Sequence, residues 1–254
     1  MANSPQNYGA RTADMAIDQG LRRYMLGIYN YMAGGVALTG IVSTLVYMFA
    51  VAGDGSQAAA VLPNGVALTE FGRTLFATPL AYVAALSPLA FVLFLSFGIS
   101  RMRASTAQLV FWAFAGVMGL SMGAIFLTYT LTSVGRVFFI SAATFGALSL
   151  YGYTTKRDLT GFGSFLFMGL IGLVIASIVN LFLASSALQF ALSVIGVFIF
   201  AGLTAWDTQR LKESYYAGLG QEETTKLSIM GALSLYLDFI NLFMSLLRIF
   251  GDRR

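Results

Sequence analysis

The chain contains no cysteine and no histidine among its 254 residues. The first absence excludes disulfides and thiol chemistry. The second removes the commonest general base and metal ligand, and the side chain that titrates unperturbed near neutrality. Charge is scarce as well. Asp, Glu, Lys and Arg together make up 10% of the residues, against about 25% in an ordinary soluble domain. The sequence also lacks a glycine-rich phosphate loop with its lysine, an HExxH pair, and any Ser/His or Cys/His set, so enzymatic chemistry is not expected. No lysine lies in the middle of an apolar stretch, which argues against a retinal site and against a Ser–Lys intramembrane protease. No cofactor is expected. The segment up to Arg22-Arg23 is polar and lacks the layout of a signal peptide.

What is present is apolar: 57% of residues are hydrophobic and the mean hydropathy is +0.77. This is the composition of a polytopic membrane protein. A pI near 9.4 carries no nucleic-acid signal, because the basic residues lie in short loops rather than along one face. About 20 apolar residues cross a bilayer as a helix. Seven stretches qualify: Tyr24–Ala52, Thr78–Ser100, Thr106–Leu131, Arg136–Thr154, Phe162–Ala184, Ala187–Leu211 and Lys226–Phe250. The sequence therefore divides into a polar tail (1–23), one seven-helix all-α membrane domain (24–250) and a short basic tail (251–254). Residues 53–77 form the one long loop, with turn dipeptides at Asp54-Gly55 and Asn64-Gly65. The Asp54-Gly55-Ser56 piece lacks the spaced acidic ligands of a calcium loop.

Basic residues favour the cytoplasmic side. With the N-terminus inside, ten Lys/Arg fall on inner segments and five on outer ones. Seven full spans would leave the C-terminus outside. Arg253-Arg254 argue mildly against that, and a last segment that enters and returns would resolve the conflict. A weak repeat is also visible. A shift of 53 residues lays Phe114–Leu120 on Phe167–Leu173, and Tyr153–Arg157 on Trp206–Arg210. Real duplication would set three helix ends at one depth, presenting Arg101, Thr154 and Asp207. Chance similarity between glycine-rich apolar helices explains the match equally well.

Two aspartates stand inside these spans, and a carboxylate there costs at least ~2.5 kcal/mol. Asp207 lies near the inner end of the sixth stretch. It is either an interfacial carboxylate neutralised by Arg210 or a functional group. Asp238 lies twelve residues past Lys226, which is ~18 Å along a helix and close to the bilayer centre. Ser234 and Asn241 share its face, and Ser245 extends the stripe. Such a stripe should face the bundle interior, as a structural polar cluster or as a proton or ion site. Two neighbouring carboxyls cannot both ionise cheaply and so share a proton. Deprotonated, they offer hard oxygen ligands for Ca²⁺ but too few for a storage cage, so transient passage fits better. Arg101 could close the inner mouth by pairing with Asp207, or could be a positive-inside anchor alongside Arg103. An aspartyl intramembrane protease is disfavoured, since neither aspartate sits in a YD-like or GxGD-like context.

The run Ser234-Leu235-Tyr236-Leu237-Asp238-Phe239-Ile240-Asn241-Leu242-Phe243, followed by Leu246-Leu247-Arg248, resembles the last-helix motif of the Bax inhibitor-1 family. That family comprises the transmembrane BAX inhibitor motif proteins and their bacterial homologues. Asp207-Thr208-Gln209 resembles the family's motif at the end of helix 6. The resemblance implies six helices around a central seventh. It implies a pH-sensitive Ca²⁺ leak governed by a carboxylate pair, here Asp207 and Asp238, with an arginine at the end of helix 2, by position Arg101, as partner. Ser234, Asn241, Thr154 and Thr208 are the expected lining or supporting residues. Calcium ions, protons and the bilayer are the expected partners, and the bacterial inner membrane with a cytoplasmic N-terminus is the expected location. Some bacterial members associate with membrane proteases, so a non-conducting regulator is the alternative, and an H⁺-coupled exchanger is a third reading. Direct pairing of the aspartates requires either that helix 6 rides deeper or that the last helix starts farther inside than Lys226, a shift that a start near Gln221 would supply.

Overall fold

The structure is a computed structural model that describes residues 5–53, 58–216, 218 and 220–254, with side chains described from Gln19 onward. The Asp54-Gly55 turn therefore lies outside the described residues. Helix α1 runs Pro5–Ala50, so the polar segment is helical from Pro5 and continuous with the first span. The remaining long helices are α3 (Leu80–Gly98), α4 (Ala104–Met122), α6 (Leu131–Thr154), α7 (Thr160–Leu183), α8 (Ser186–Glu213) and α9 (Gln221–Phe250). A 3-10 turn, Ile99–Arg101, extends α3, and the short α5 (Ile125–Thr128) extends α4. Among the described residues seven helices are long and apolar enough to span a bilayer, and they coincide with the seven stretches read from the sequence.

The expected loop at 53–77 is partly ordered. A small antiparallel pair, β1 (Ala60–Val61) and β2 (Ala67–Leu68), is closed by the Asn64-Gly65 turn, where Gly65 takes φ 83° as a residue without Cβ readily does. The short α2 (Glu70–Phe76) follows, capped by Thr69, whose hydroxyl oxygen accepts from the Gly72 amide at 3.1 Å. Thr130 and Ser185 cap α6 and α8 in the same way.

The last helix is the axis of the molecule. Of its most apolar stretch, 67% is buried inside the protein, against 6–39% for the other spans. It packs against α8, α1, α6 and α4, and touches α3. Its centre is aromatic and fully enclosed: Tyr236 stacks edge-on against Phe111 and Phe114, and its hydroxyl bonds Thr39 at 2.6 Å. Thr39 in turn donates to the Ala115 carbonyl at 2.8 Å, tying α9, α1 and α4 together at one level. Five of the other spans thus contact the last helix directly, and the sixth, α7, packs on α8 and faces it across a cavity.

The idea of a returning last segment is corrected. Helix α9 is unbroken, and its end is held at the α1 terminus farthest from Pro5. The Arg254 amide donates to the Thr128 carbonyl at 3.0 Å, and the Thr130 amide donates to Asp252 at 3.0 Å. The Arg254 and Arg253 guanidinia lie over the rings of Tyr47 and Tyr129. The terminal arginines are thus anchored by aromatic faces and main chain, which accounts for basic residues at an end where the charge count does not favour them.

Candidate functional site

Helix α8 carries three consecutive polar residues that are all buried, and each faces a different neighbour. Thr208 turns to α6, where its hydroxyl lies 2.9 Å from Ser149 Oγ, which is 2.6 Å from the Tyr29 hydroxyl on α1. Gln209 clamps the α6–α7 connection, accepting from the Leu159 amide at 2.8 Å and donating to the Arg157 carbonyl at 2.7 Å. Asp207 turns to α9. This division follows from a helical rotation of about 100° per residue, which sends neighbours to different faces.

Asp207 and Asp238 come together, each only 6% exposed, with their carboxyls within hydrogen-bonding reach of each other. The depth conflict is resolved as anticipated: α9 begins at Gln221, not at Lys226. The cation on Asp207 is Arg210, one turn further along the same helix, with Nη2 2.8 Å from Oδ1. The contact is an ion pair without hydrogen-bond alignment, since Oδ1 has no aligned donor. The Arg210 guanidinium also lies over the Trp206 ring, 4.7 Å from its centroid, and donates to Ser234 Oγ at 3.4 Å. Asp238 Oδ2 is buried with no hydrogen-bond partner among the described residues.

The expected pairing of Arg101 with Asp207 is not formed. Arg101 closes the 3-10 turn after α3, is exposed, and makes no ion pair among the described residues. Arg210 wins by proximity: an i,i+3 partner reaches a carboxylate without ordering a second helix. Thr154 does not converge on the site either. It is exposed and bonds its own helix at the Leu150 carbonyl, 2.8 Å away. Thr208 supports the site from behind by fixing α8 to α6. The α6 and α8 ends do lie at one level, with Gly152 against the Ala205 carbonyl, 53 residues later, but their polar side chains diverge.

The two aspartates line a cavity of about 890 Å³ between α7, α8 and α9. The α9 face contributes the expected stripe, Ser234, Asp238, Asn241 and Ser245, and adds Leu237, Met244 and Arg248. From Ser234 to Arg248 the stripe runs ~21 Å along the helix axis, a large part of the ~30 Å hydrocarbon thickness. Asn241 donates to its own helix at the Leu237 carbonyl, 2.8 Å away. The α7 wall and Arg248 as the far terminus of the cavity were not anticipated, because no feature of α7 other than its apolarity marks it. No group of three or more His, Cys, Asp or Glu side chains that could hold a metal ion occurs among the described residues.

The family profile described as "Inhibitor of apoptosis-promoting Bax1" matches residues 21–254. The chain is 47% identical over 237 residues to the Rickettsia prowazekii protein RP147, covering 93% of this chain and 92% of the relative. It is 46% identical over 246 residues to a Caulobacter vibrioides protein, covering 96% and 94%. It is 43% identical over 244 residues to the inner membrane protein YbhL of Escherichia coli K12, covering 92% and 94%. With a seven-span helical body built around its last helix and a profile match over nearly its whole length, the chain belongs to the Bax inhibitor-1 family of integral membrane proteins.

Proposed function

We propose that the protein is a Ca²⁺ leak of the bacterial inner membrane whose opening depends on protonation of the Asp207/Asp238 pair. The observation that carries this reading is the carboxyl pair itself, buried and mutually facing in a cavity that runs most of the way across the membrane. Two carboxyls against one Arg210 leave one negative charge to balance, and a proton or a passing cation balances it. Arg210 then serves as the latch. While it pairs with Asp207 it occupies the cation position at one end of the cavity, and its release frees oxygen ligands of the kind Ca²⁺ prefers. The basic ends, with Arg22, Arg103, Lys156 and Lys212, lie in the cytoplasm under the positive-inside rule, which places the N-terminus there also.

The test is Ca²⁺ flux into proteoliposomes between pH 5 and pH 8. Wild-type protein should conduct with a pH-dependent rate, and Asp238→Asn should lose the pH dependence. Protein that conducts no Ca²⁺, or a pH response that survives loss of both carboxyls, would overturn the proposal. Silent liposomes together with a crosslinked membrane-protein partner would point to the regulator instead, and proton counter-flow with Ca²⁺ would point to an exchanger.

A further inference from the structure

The cavity has an unusual third side. One wall is α7 from Phe167 to Leu181, ~21 Å of helix. Helix α7 packs on α8 but is held off α9, while α3 packs on α4 and touches α9. The cavity is lined by α7, α8 and α9 alone, and among the described residues α7 and α9 are not a packed pair, so the space beside Asp238 is open on the side between α7 and α9, next to exposed apolar side chains of α7 such as Phe165, Met168 and Ile175. Arg210, beside Ser234, and Arg248 stand at the two ends of the lining stripe, and both are exposed. A cation approaching from either end meets positive charge first. A cation that comes through the side meets leucine, valine and phenylalanine, and then the unpartnered Oδ2 of Asp238. Buried carboxylate oxygens seek donors, and an ammonium group has three to give. The long apolar wall gives a hydrocarbon tail somewhere to lie.

We propose that the cavity binds long-chain primary ammonium amphiphiles admitted from the bilayer between α7 and α9, with the ammonium on Asp238 and Asp207 and the chain along α7. The site is the one assigned above to Ca²⁺, but its occupancy does not depend on conduction. The charge excess of two carboxyls over Arg210 is neutralised by the ammonium. The apolar wall distinguishes this ligand from a small aqueous amine, and the carboxyls distinguish it from an uncharged lipid.

The probe is dodecylamine carrying a mid-chain diazirine, photolysed with the full chain in liposomes and followed by mass spectrometry of the labelled peptides. Saturable labelling of the Phe167–Leu181 wall is expected, competed by dodecylammonium but not by dodecanol or butylammonium. Asp238→Asn should weaken competition by about tenfold or more, the loss of a charge-assisted hydrogen bond. Asp238→Glu, which keeps the carboxyl, should retain most of it. Leu170→Trp, which fills the cavity without changing charge, should abolish labelling. Labelling that does not saturate, equal competition by dodecanol, or an unchanged Asp238→Asn variant that elutes as a monodisperse protein would each overturn the proposal. Labelling that persists in protein that conducts no Ca²⁺ would leave this site standing and remove the leak.

Discussion

Four consecutive residues concentrate most of the polar chemistry of α8. Asp207 meets Asp238, Thr208 meets Ser149, Gln209 holds the loop before α7, and Arg210 folds back over Trp206 onto Asp207. This separates the roles of two arginines. Removing Arg210 strips a buried carboxylate of its cation. Because the Arg210 side chain is half-exposed (49%), water screens the pair, and Arg210→Ala should cost only about 1–2 kcal/mol of stability. Its effect on function should be larger: basal Ca²⁺ flux in proteoliposomes should rise several-fold. Arg101→Ala should change stability by no more than ~0.5 kcal/mol, as exposed substitutions usually do, and should leave basal flux unaltered. Raised flux in Arg101→Ala with none in Arg210→Ala would reverse the assignment. Both aspartates were legible in the sequence because a carboxylate in an apolar helix is costly wherever it lies. The choice between the two arginines was not, because it turns on whether α3 delivers its end to α8, and that is a packing outcome. The unpartnered oxygen of Asp238 was equally hidden, since a missing partner is a property of the surroundings rather than of the residue.

At the scale of elements, the pair depends on how closely α6 and α8 approach just beside Asp207. Gly152 sits against the backbone carbonyl of Ala205, and a Cβ there would run into that oxygen. Backbone cannot step aside as a flexible side chain can. Gly152→Ala should therefore destabilise the protein by about 1–3 kcal/mol, the usual cost of overpacking, despite the higher helix propensity of alanine. Gly146 lies on the same helix with open space around it. Gly146→Ala should be neutral or stabilising by up to ~1 kcal/mol. Unfolding midpoints of the two variants in SDS provide the measurement, and equal midpoints would show that the close crossing carries no weight. The spans themselves were readable to within a few residues, since length and apolarity decide them. The ends were less so. The last helix gains its first turn from Gln221, Glu222 and Glu223, and acidic residues at a helix start complement its dipole although they fall outside any hydropathy window. The β1–β2 hairpin and α2 escaped notice because they are held by contacts to the end of α1, where Thr69 donates to the Phe49 carbonyl at 2.7 Å, rather than by a pattern of their own.

At the scale of the molecule, an odd number of full crossings fixes a relation between the two termini that charge counting alone left open. The start of α9 lies among the basic ends, where Glu222 accepts from the Ala104 amide at 3.4 Å. The end of α9 lies with Tyr47, Thr128 and Thr130 on the far face, and the β1–β2 hairpin reaches the same level through Asn64, which donates to the Leu127 carbonyl at 2.7 Å. Residues 63 and 254 must then share one side of the membrane, and residue 156 must lie on the other. The absence of cysteine makes this directly testable, because any introduced thiol is the only one in the chain. Pro63→Cys and Arg254→Cys should react with an impermeant maleimide added to intact spheroplasts, and Lys156→Cys should react only in inside-out vesicles. Labelling of Arg254→Cys together with Lys156→Cys would mean that the last helix does not cross. The central position of α9, the membrane-length stripe from Ser234 to Arg248, and a cavity with one arginine at each end would then all have to be abandoned together, since each requires that helix to traverse the full thickness of the bilayer.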